Sequence, residues 1–121
     1  MISCSDRLIP KIYKDRDSIY NTLIISPPGR GKTTLLRDMV RNISNGYNGY
    51  YRGLNIGIAD ERSEIAACYL GIPQNDVGIR TDVIDGIPKV AGIMMLIRTM
   101  SPKVIAVDEI GSKEDIKAIR Q

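Results

Sequence analysis

The chain has 121 residues, which is enough for one domain of ordinary size. Its composition, 43% hydrophobic and 26% charged, is that of a water-soluble globular protein, and the aromatic residues are six tyrosines, so the core is predicted to be aliphatic. The lack of histidine excludes imidazole metal sites and histidine triads, and a net charge of +3 without a polybasic run argues against a nucleic-acid or membrane patch. Cys4 and Cys68 lack metal-site spacing and favour a reducing compartment.

The N-terminal part predicts a short helix over residues 3–13, limited by Pro10, and then a charged loop. A first strand is predicted over residues 22–25. A Pro/Gly turn follows it, and then an amphipathic helix that ends at Asn45-Gly46. The apolar residues of this helix are spaced to pack one stripe against a sheet: Leu35, Leu36, Met39, Val40 and Ile43.

The turn between this strand and helix contains a phosphate-loop pattern in its proper context of strand, glycine-rich loop and helix. Lys32 is the strongest indication, because a cation at a helix N-terminus opposes the helix dipole unless a phosphate lies between them. Thr33 adds a hydroxyl for Mg²⁺. Ser26 stands where the pattern has its first glycine. The predicted nucleotide-binding residues are Ser26, Pro27, Pro28, Gly29, Arg30, Gly31, Lys32, Thr33 and Thr34.

Residues 45–53 combine three tyrosines and an arginine with glycines. Aromatic rings and a guanidinium in a loop can stack on a nucleic-acid base or on an adenine ring. The favoured interpretation is a long surface connection between helix and strand, because this is also ordinary turn composition.

The middle of the chain predicts a strand over residues 54–59, a short helix over 65–70 capped by Ser63, and a strand over 77–84 that alternates weakly. A longer helix is predicted after Pro88 and ends before Pro102. Its predicted buried face consists of Val90, Ile93, Met94, Ile97 and Met100.

The uninterrupted apolar run at residues 104–107 is typical of a central parallel strand buried on both faces, and a last helix is predicted over 113–120. Asp108 follows that run in the Walker B arrangement. It is predicted to hold Mg²⁺ together with Thr33, and Glu109 is predicted to direct water at the γ-phosphate of ATP.

A second group of acids ends the strand at 54–59: Asp60, Glu61 and Glu64. Ligands of open α/β sheets bind beyond the carboxyl ends of the strands, so these acids can belong to the same site. They can equally be solvated acids near a helix N-terminus, where the helix dipole favours them. Glu64 is therefore kept beside Glu109 as a candidate for activating water.

Four stretches of the sequence resemble the stage III sporulation protein AA family, and they are spread over most of the chain: residues 26–38, 57–68, 71–82 and 94–111. That family is similar to the ATPases of type II and type IV secretion and pilus machines. By this resemblance, residues 60–64 correspond to the acidic box of those ATPases, and Glu64 corresponds to its catalytic-type glutamate. Asp108 stands where those ATPases have glycine, and Gly111 where they have arginine, so the role of that arginine is not carried over.

The resemblance implies an α/β fold of the P-loop NTPase class, with a RecA-like, mostly parallel sheet flanked by helices. Residues 1–18 are then an N-terminal helix and charged linker, and residues 19–121 part of an ATPase domain. The strand that follows Walker B in such cores lies beyond Gln121. We therefore expect a fragment whose incomplete sheet has a gap or an exposed edge, and a sheet of five or more strands would contradict this.

The implied biology is endospore formation in a Gram-positive bacterium. The expected protein is an ATP- and Mg²⁺-dependent motor subunit that forms a homo-oligomeric, hexameric ring. Its expected place is the mother-cell cytoplasm, at membrane-bound channel proteins of the forespore. No apolar run is long enough to insert into a membrane, and nucleic acid is not an expected partner.

Two other functions fit the phosphate-loop pattern. One is a small P-loop kinase, although the Asp108-Glu109 pair and the lack of a recognisable acceptor lid argue against it. The other is a nucleotide-binding or nucleic-acid-linked module without motor activity, which the tyrosine-rich loop and the pI of about 8.9 suggest.

Overall fold

The computed structural model of the chain describes residues 7–25, 31–70, 72–109 and 117. The fold is of the α/β class, with a small parallel sheet flanked by helices. In chain order the elements are α1 (Ile9–Ile12), α2 (Lys32–Asn45), β1 (Ile56–Asp60), β2 (Thr81–Asp85), α3 (Lys89–Thr99) and β3 (Val104–Val107).

The three strands form one parallel sheet in the order β2-β1-β3, with Ile56 opposite both Thr81 and Val104. Because the strands are parallel, their carboxyl ends lie at one edge of the sheet. That edge carries Asp60 at the end of β1, Asp85 at the end of β2, and the residues that follow β3. The edge therefore gathers acids, as the sequence predicts.

The sheet is covered on both faces by apolar side chains. Ile56 and Ile58 of β1 point to the face that packs with α2, and they are 1% and 0% exposed. Ala59 points to the opposite face and packs with α3. A side chain at Gly57 would collide with Leu96, so glycine at this position lets α3 approach the sheet closely.

Helix α2 confirms its predicted stripe and its predicted end. Met39, Val40 and Ile43 are buried in the core, and the backbone N–H of Gly46 donates to the carbonyl of Asn42 at the C-terminus. The face of α3 differs in part from the prediction. Ile93 and Leu96 are its fully buried apolar residues, whereas Met100 is 44% exposed, since the helix ends at Thr99.

The predicted strand over residues 22–25 is wrong. This segment is not part of the sheet, and Leu23 and Ile25 are 68% and 83% exposed. Among the described residues β3 pairs with β1 alone, so the sheet has three strands and an open edge at β3, in agreement with the expected incomplete sheet. Without a strand partner, an extended apolar segment gains no ladder of hydrogen bonds.

The predicted helix over residues 65–70 is also wrong. Its first backbone N–H groups are bound by the carboxylate of Asp60, and Ala67 and Leu70 have positive φ angles, which no right-handed helix allows. Ser63 does not cap this segment, because its hydroxyl donates to the carboxylate of Asp85.

The strands before and after this turn start later than predicted, for identifiable reasons. The N–H of Leu54 donates to the carbonyl of Ile43, which keeps residue 54 out of the sheet. The N–H of Ile79 donates to the side chain of Asn45, and that of Gly78 to Asp76, so the second strand begins at Thr81. The bounds of the strand predicted at residues 104–107 are confirmed, but its predicted place is wrong. Among the described residues β3 is an edge strand and only Ala106 is fully buried, whereas the central strand, buried throughout, is β1.

Helix α1 is a single turn within the predicted range of 3–13, of which residues 1–6 lie outside the described residues. The helix predicted over 113–120 also lies outside them, apart from Lys117. In the part of the chain that is described, no helix has the length and apolarity needed to cross a membrane.

Candidate functional site

The site lies at the carboxyl edge of the sheet, where the start of α2 meets the end of β3. Gly31 precedes α2 with a φ of 76°, a left-handed conformation that favours glycine. Two residues later, the hydroxyl of Thr33 donates to Oδ2 of Asp108 at 3.3 Å, across 75 positions of sequence. The structure thus brings together the threonine of the predicted phosphate loop and the predicted Walker B acid. Residues 26–30 of the predicted loop lie outside the described residues.

The oxygen pair of Thr33 and Asp108 fits the requirements of Mg²⁺. In octahedral coordination at ~2.1 Å, neighbouring ligand oxygens are about 3 Å apart, close to the separation between these two side chains. Within the described residues no group of three or more Asp, Glu, Cys or His side chains could hold a metal ion. Mg²⁺ usually keeps several waters and uses one or two protein oxygens plus substrate phosphates, so two ligands suit it.

Asp60 is buried, at 2% exposure, and its carboxylate is fully used by the backbone. It accepts hydrogen bonds from the N–H groups of Glu64, Ile65 and Ala66 at 3.0, 3.2 and 2.9 Å. Arg37 of α2 fixes the same turn from outside, donating to the carbonyls of Ile65 and Glu64. Asp60 therefore builds the turn after β1.

The other two acids of this turn lie in different surroundings. Glu61 faces the site, and its Oε2 accepts a hydrogen bond from the backbone N–H of Lys89 at 3.3 Å. Glu64 is exposed, and its backbone carbonyl accepts from Arg37. A cavity lies next to this turn, and Glu64 is not one of the described residues that line it.

That cavity has a volume of about 80 Å³, which exceeds the ~10–15 Å³ that one water molecule needs. It opens beside the Thr33–Asp108 pair. Its lining is entirely charged: Glu61, Arg62, Lys89, Asp108 and Glu109. The predicted water-directing residue Glu109 thus lies on a small polar cavity at the predicted site.

Glu109 is held by two cations from other elements. Arg62 Nη1 lies 3.3 Å from its carboxylate Oε2, and the ammonium of Lys89 donates to its backbone carbonyl. Sequence reasoning missed Lys89. The signal was available, because Lys89 starts a helix without an acid in its first turn, the same anomaly that identified Lys32.

The thiol of Cys68 lies near the acids that end β1 and β2. Its burial, and then the charges of Asp85 and Asp60, raise its pKa. Since only the thiolate is a strong nucleophile, a thiol with a raised pKa stays protonated near neutral pH and does not fit a catalytic cysteine.

The tyrosine-rich loop packs against the N-terminal segment. The rings of Tyr13 and Tyr51 have centroids 4.4 Å apart, and those of Tyr47 and Tyr51 are 6.3 Å apart. Arg16 lies over the ring of Tyr50, 4.9 Å from its centroid. The loop connects α2 to β1, as the favoured interpretation of residues 45–53 predicts. Its packing against the N-terminal segment is a further contact that the sequence does not predict.

Comparison with known proteins agrees with the resemblance noted in the sequence. The family model described as "Sporulation stage III, protein AA" matches residues 1–121. Stage III sporulation protein AA of Bacillus subtilis (strain 168) is 51% identical over 118 residues, which are 98% of this chain and 38% of that relative. The chain therefore spans well under half of the relative's length, and no solved structure matches it. The chain belongs to the sporulation stage III protein AA family.

Proposed function

We propose that this chain contains the nucleotide site of a Mg²⁺-dependent ATPase of the P-loop class. The observation that carries the proposal is the contact between Thr33 and Asp108, at 3.3 Å. It joins the start of a helix that follows a phosphate-loop sequence to the acid that follows a strand of the parallel sheet. A strand end and a helix N-terminus that converge on one point favour a bound phosphate and its cation.

The residues take complementary roles in this proposal. Lys32 and the N–H groups at the start of α2 bind the phosphates, which their positive charge and the helix dipole favour. Thr33 and Asp108 hold Mg²⁺, which when bound neutralises the charge of the β- and γ-phosphates. Glu109, on the polar cavity, accepts a hydrogen bond from water and orients it for attack.

The wider role is part of the same proposal. Membership of a sporulation family, together with the resemblance to secretion ATPases, supports a motor subunit that works as a homo-oligomeric ring, expected to be a hexamer. Its place is the mother-cell cytoplasm beside the forespore membrane, and its partners are membrane-bound channel proteins. Within the described residues the outer edge of β3 has no strand partner, which leaves room for further structure next to the site.

The test compares two single substitutions in the full-length gene product, Glu109→Gln and Glu64→Gln. Both remove one carboxylate and keep the side-chain size. We expect Glu109→Gln to lower kcat for ATP hydrolysis by about 10²–10⁴-fold, the usual contribution of a general base, while ATP still binds. Glu64→Gln should retain turnover within about threefold.

Two outcomes contradict this assignment. Loss of turnover in Glu64→Gln alone would transfer the water-directing role to Glu64. Absence of Mg²⁺-dependent ATP hydrolysis in the unsubstituted protein, measured with its ring assembled, would refute the ATPase proposal as a whole.

A further inference from the structure

The turn that carries Glu109 is in an unusual backbone conformation. Glu109 has a φ of 58°, in the left-handed region, where a residue with a side chain is uncommon. Such a conformation costs free energy and persists only where surrounding contacts hold it. Contacts that hold Glu109 therefore control where its carboxylate lies.

The ion pair with Arg62 is too exposed to hold this conformation alone. The two side chains are 68% and 64% exposed, and pairs of this kind contribute little because water screens them and both side chains lose freedom. The pair orients the carboxylate of Glu109. A firmer contact must hold its backbone.

That contact comes from Lys89, which is 9% exposed. Its ammonium donates to the carbonyl of Glu109, and a hydrogen bond from a charged donor is stronger than one between neutral groups. A lysine at the first position of a helix is disfavoured by the helix dipole, so its burial here requires such acceptors. The ammonium of Lys89 therefore binds the backbone of the turn after β3.

The backbone of Lys89 is fixed in turn by the element that carries Arg62. Its N–H donates to Glu61, which supplies from the turn after β1 the acid that the first turn of α3 lacks. The contacts form a closed circuit from Glu61 to Lys89, from Lys89 to Glu109, and from Glu109 to Arg62, the neighbour of Glu61. These contacts connect the ends of β1 and β3 with the start of α3, and the contacts of Lys89 are the less exposed part of the circuit.

We propose that Lys89 is a positioning residue, which holds the left-handed turn at Glu109 so that its carboxylate faces the polar cavity beside Thr33 and Asp108. This inference rests on the proposed ATPase function for the role of Glu109. The positioning itself is a property of the turn, and it can be measured without ATP.

The experiment compares Lys89→Met with Lys89→Arg in the full-length gene product. Methionine keeps the length and apolar stem but removes the donor, whereas arginine keeps a charged donor. Lys103→Met is the matched control, because Lys103 is an exposed lysine just before the other end of β3. Amide hydrogen exchange of the peptide containing residues 104–109, kcat and KM for MgATP, and thermal unfolding are measured for each variant.

We expect Lys89→Met to speed exchange in that peptide at least fivefold and to lower kcat at least tenfold, with KM within twofold of the original. Lys89→Arg should restore exchange to within twofold and kcat to within threefold. Lys103→Met should match the unsubstituted protein in each measurement. If Lys89→Met does not fold, the same exchange and kcat limits apply to Lys89→Leu, which also removes the donor and keeps an apolar side chain.

Exchange in Lys89→Met that equals the unsubstituted protein would overturn the positioning role, and so would a kcat within twofold. An equal loss in kcat/KM through KM alone would also overturn it, since that is the effect of lost binding. If the unsubstituted protein does not hydrolyse ATP, the proposed function fails, while the exchange comparison still decides whether Lys89 holds the turn.

Discussion

Two helices of this fold begin with a lysine at the carboxyl edge of the sheet, and the two lysines differ in what surrounds them. Lys32 begins α2 and Lys89 begins α3, and neither helix has an acid in its first turn. Lys89 is buried, and its ammonium donates to the carbonyl of Glu109. Lys32 is only half-buried, and none of the hydrogen bonds or ion pairs described between residues 31–70 and 72–109 involves its ammonium.

A lysine at the start of a helix without an acid in its first turn therefore has two possible physical explanations. A cation that opposes a helix dipole needs a compensating acceptor, which can be a bound anion or another part of the protein. At α3 the turn after β3 supplies the acceptor. At α2 the neighbouring acid Asp108 accepts from Thr33 instead, and under the proposed function the acceptor for Lys32 is the phosphate of the nucleotide.

The largest effect is expected from replacing Asp60. Its carboxylate builds the turn after β1, and that turn carries Glu61, the acceptor for the backbone N–H of Lys89. Asp60→Ala leaves three backbone N–H groups in a buried turn without their acceptor, and each such loss costs about 1–3 kcal/mol. We expect the free energy of unfolding to fall by roughly 3–5 kcal/mol in denaturant titrations of the full-length gene product.

Asp82→Ala is the matched control for this loss, because Asp82 is an exposed acid of the adjacent strand, and it should change stability by less than about 0.5 kcal/mol. Equal stabilities of the two variants would show that the Asp60 carboxylate does not build the turn, and the functional interpretation of that acid would return.

The next largest effect is expected for Lys32→Ala, and it has opposite signs on binding and stability. Loss of a charged donor to phosphate costs about 1.5–3 kcal/mol, so ATP affinity should fall by up to about 100-fold. In the absence of nucleotide, removing a cation from a helix N-terminus should raise the free energy of unfolding by roughly 0.3–1 kcal/mol.

Titration of a fluorescent ATP analogue and denaturant unfolding measure the two quantities, with Lys103→Ala as the exposed control. A Lys32→Ala protein that is destabilised as strongly as Lys89→Met would erase the contrast between the two lysines. It would mean that Lys32 is also compensated by protein atoms.

The sequence is sufficient to predict those elements whose signal is local. The apolar stripe and glycine stop of α2 and the bounds of the strand at residues 104–107 are predicted correctly because each has a local sequence signal. The edge position of that strand is not predicted, because it depends on which other segments join the sheet. The segment at 22–25 reads as a strand equally well, yet a strand forms only beside a partner, which no local pattern reveals. The helix predicted over residues 65–70 does not form for a related reason. The carboxylate of Asp60 binds the first N–H groups of this segment and holds it in a turn.

The same distinction between local signals and contacts made by distant segments applies to the candidate site. The proximity of Thr33 and Asp108 is predicted from the spacing of the two motifs, and the structure brings the two side chains together. It does so although the strand predicted before the phosphate loop is not part of the sheet. The circuit of Glu61, Lys89 and Glu109 was not found, because it depends on the left-handed turn after β3 and on contacts between three separate elements.

A smaller effect is expected from changes to the hydroxyl of Thr33, which lies on the α2 side. Thr33→Val removes the hydroxyl while keeping the shape, and we expect the Mg²⁺ concentration for half-maximal ATP binding or turnover to rise about tenfold, or about 1.4 kcal/mol. Thr33→Ser keeps the hydroxyl and should stay within about twofold. Equal Mg²⁺ dependence in both variants would show that the Thr33 hydroxyl does not bind Mg²⁺. The contact between Thr33 and Asp108 would then no longer support the proposed nucleotide site.

The smallest effect is expected at Tyr13, which lies far from both lysines along the chain and packs with Tyr51. The Tyr13 hydroxyl donates to the carbonyl of Arg52 at 2.9 Å, and burial, followed by the charge of Tyr51, raises its pKa to about 12. The folded state therefore favours the protonated phenol. Its stabilising contribution is complete below the unfolded-state pKa of about 10 and is lost as the pH rises through about 12.

Tyr13→Phe should therefore lower the free energy of unfolding by about 1 kcal/mol at neutral pH, through the lost hydrogen bond, and should flatten its decline between about pH 10 and 12. Denaturant titrations across that range measure both effects. ATP affinity should stay unchanged, because the tyrosine contacts connect the N-terminal segment to the loop at 45–53 and do not reach the carboxyl edge of the sheet. A change in affinity as large as that of Lys32→Ala would show instead that the edge carrying the two lysines depends on this remote packing, and the two helix starts could then no longer be compared as independent sites.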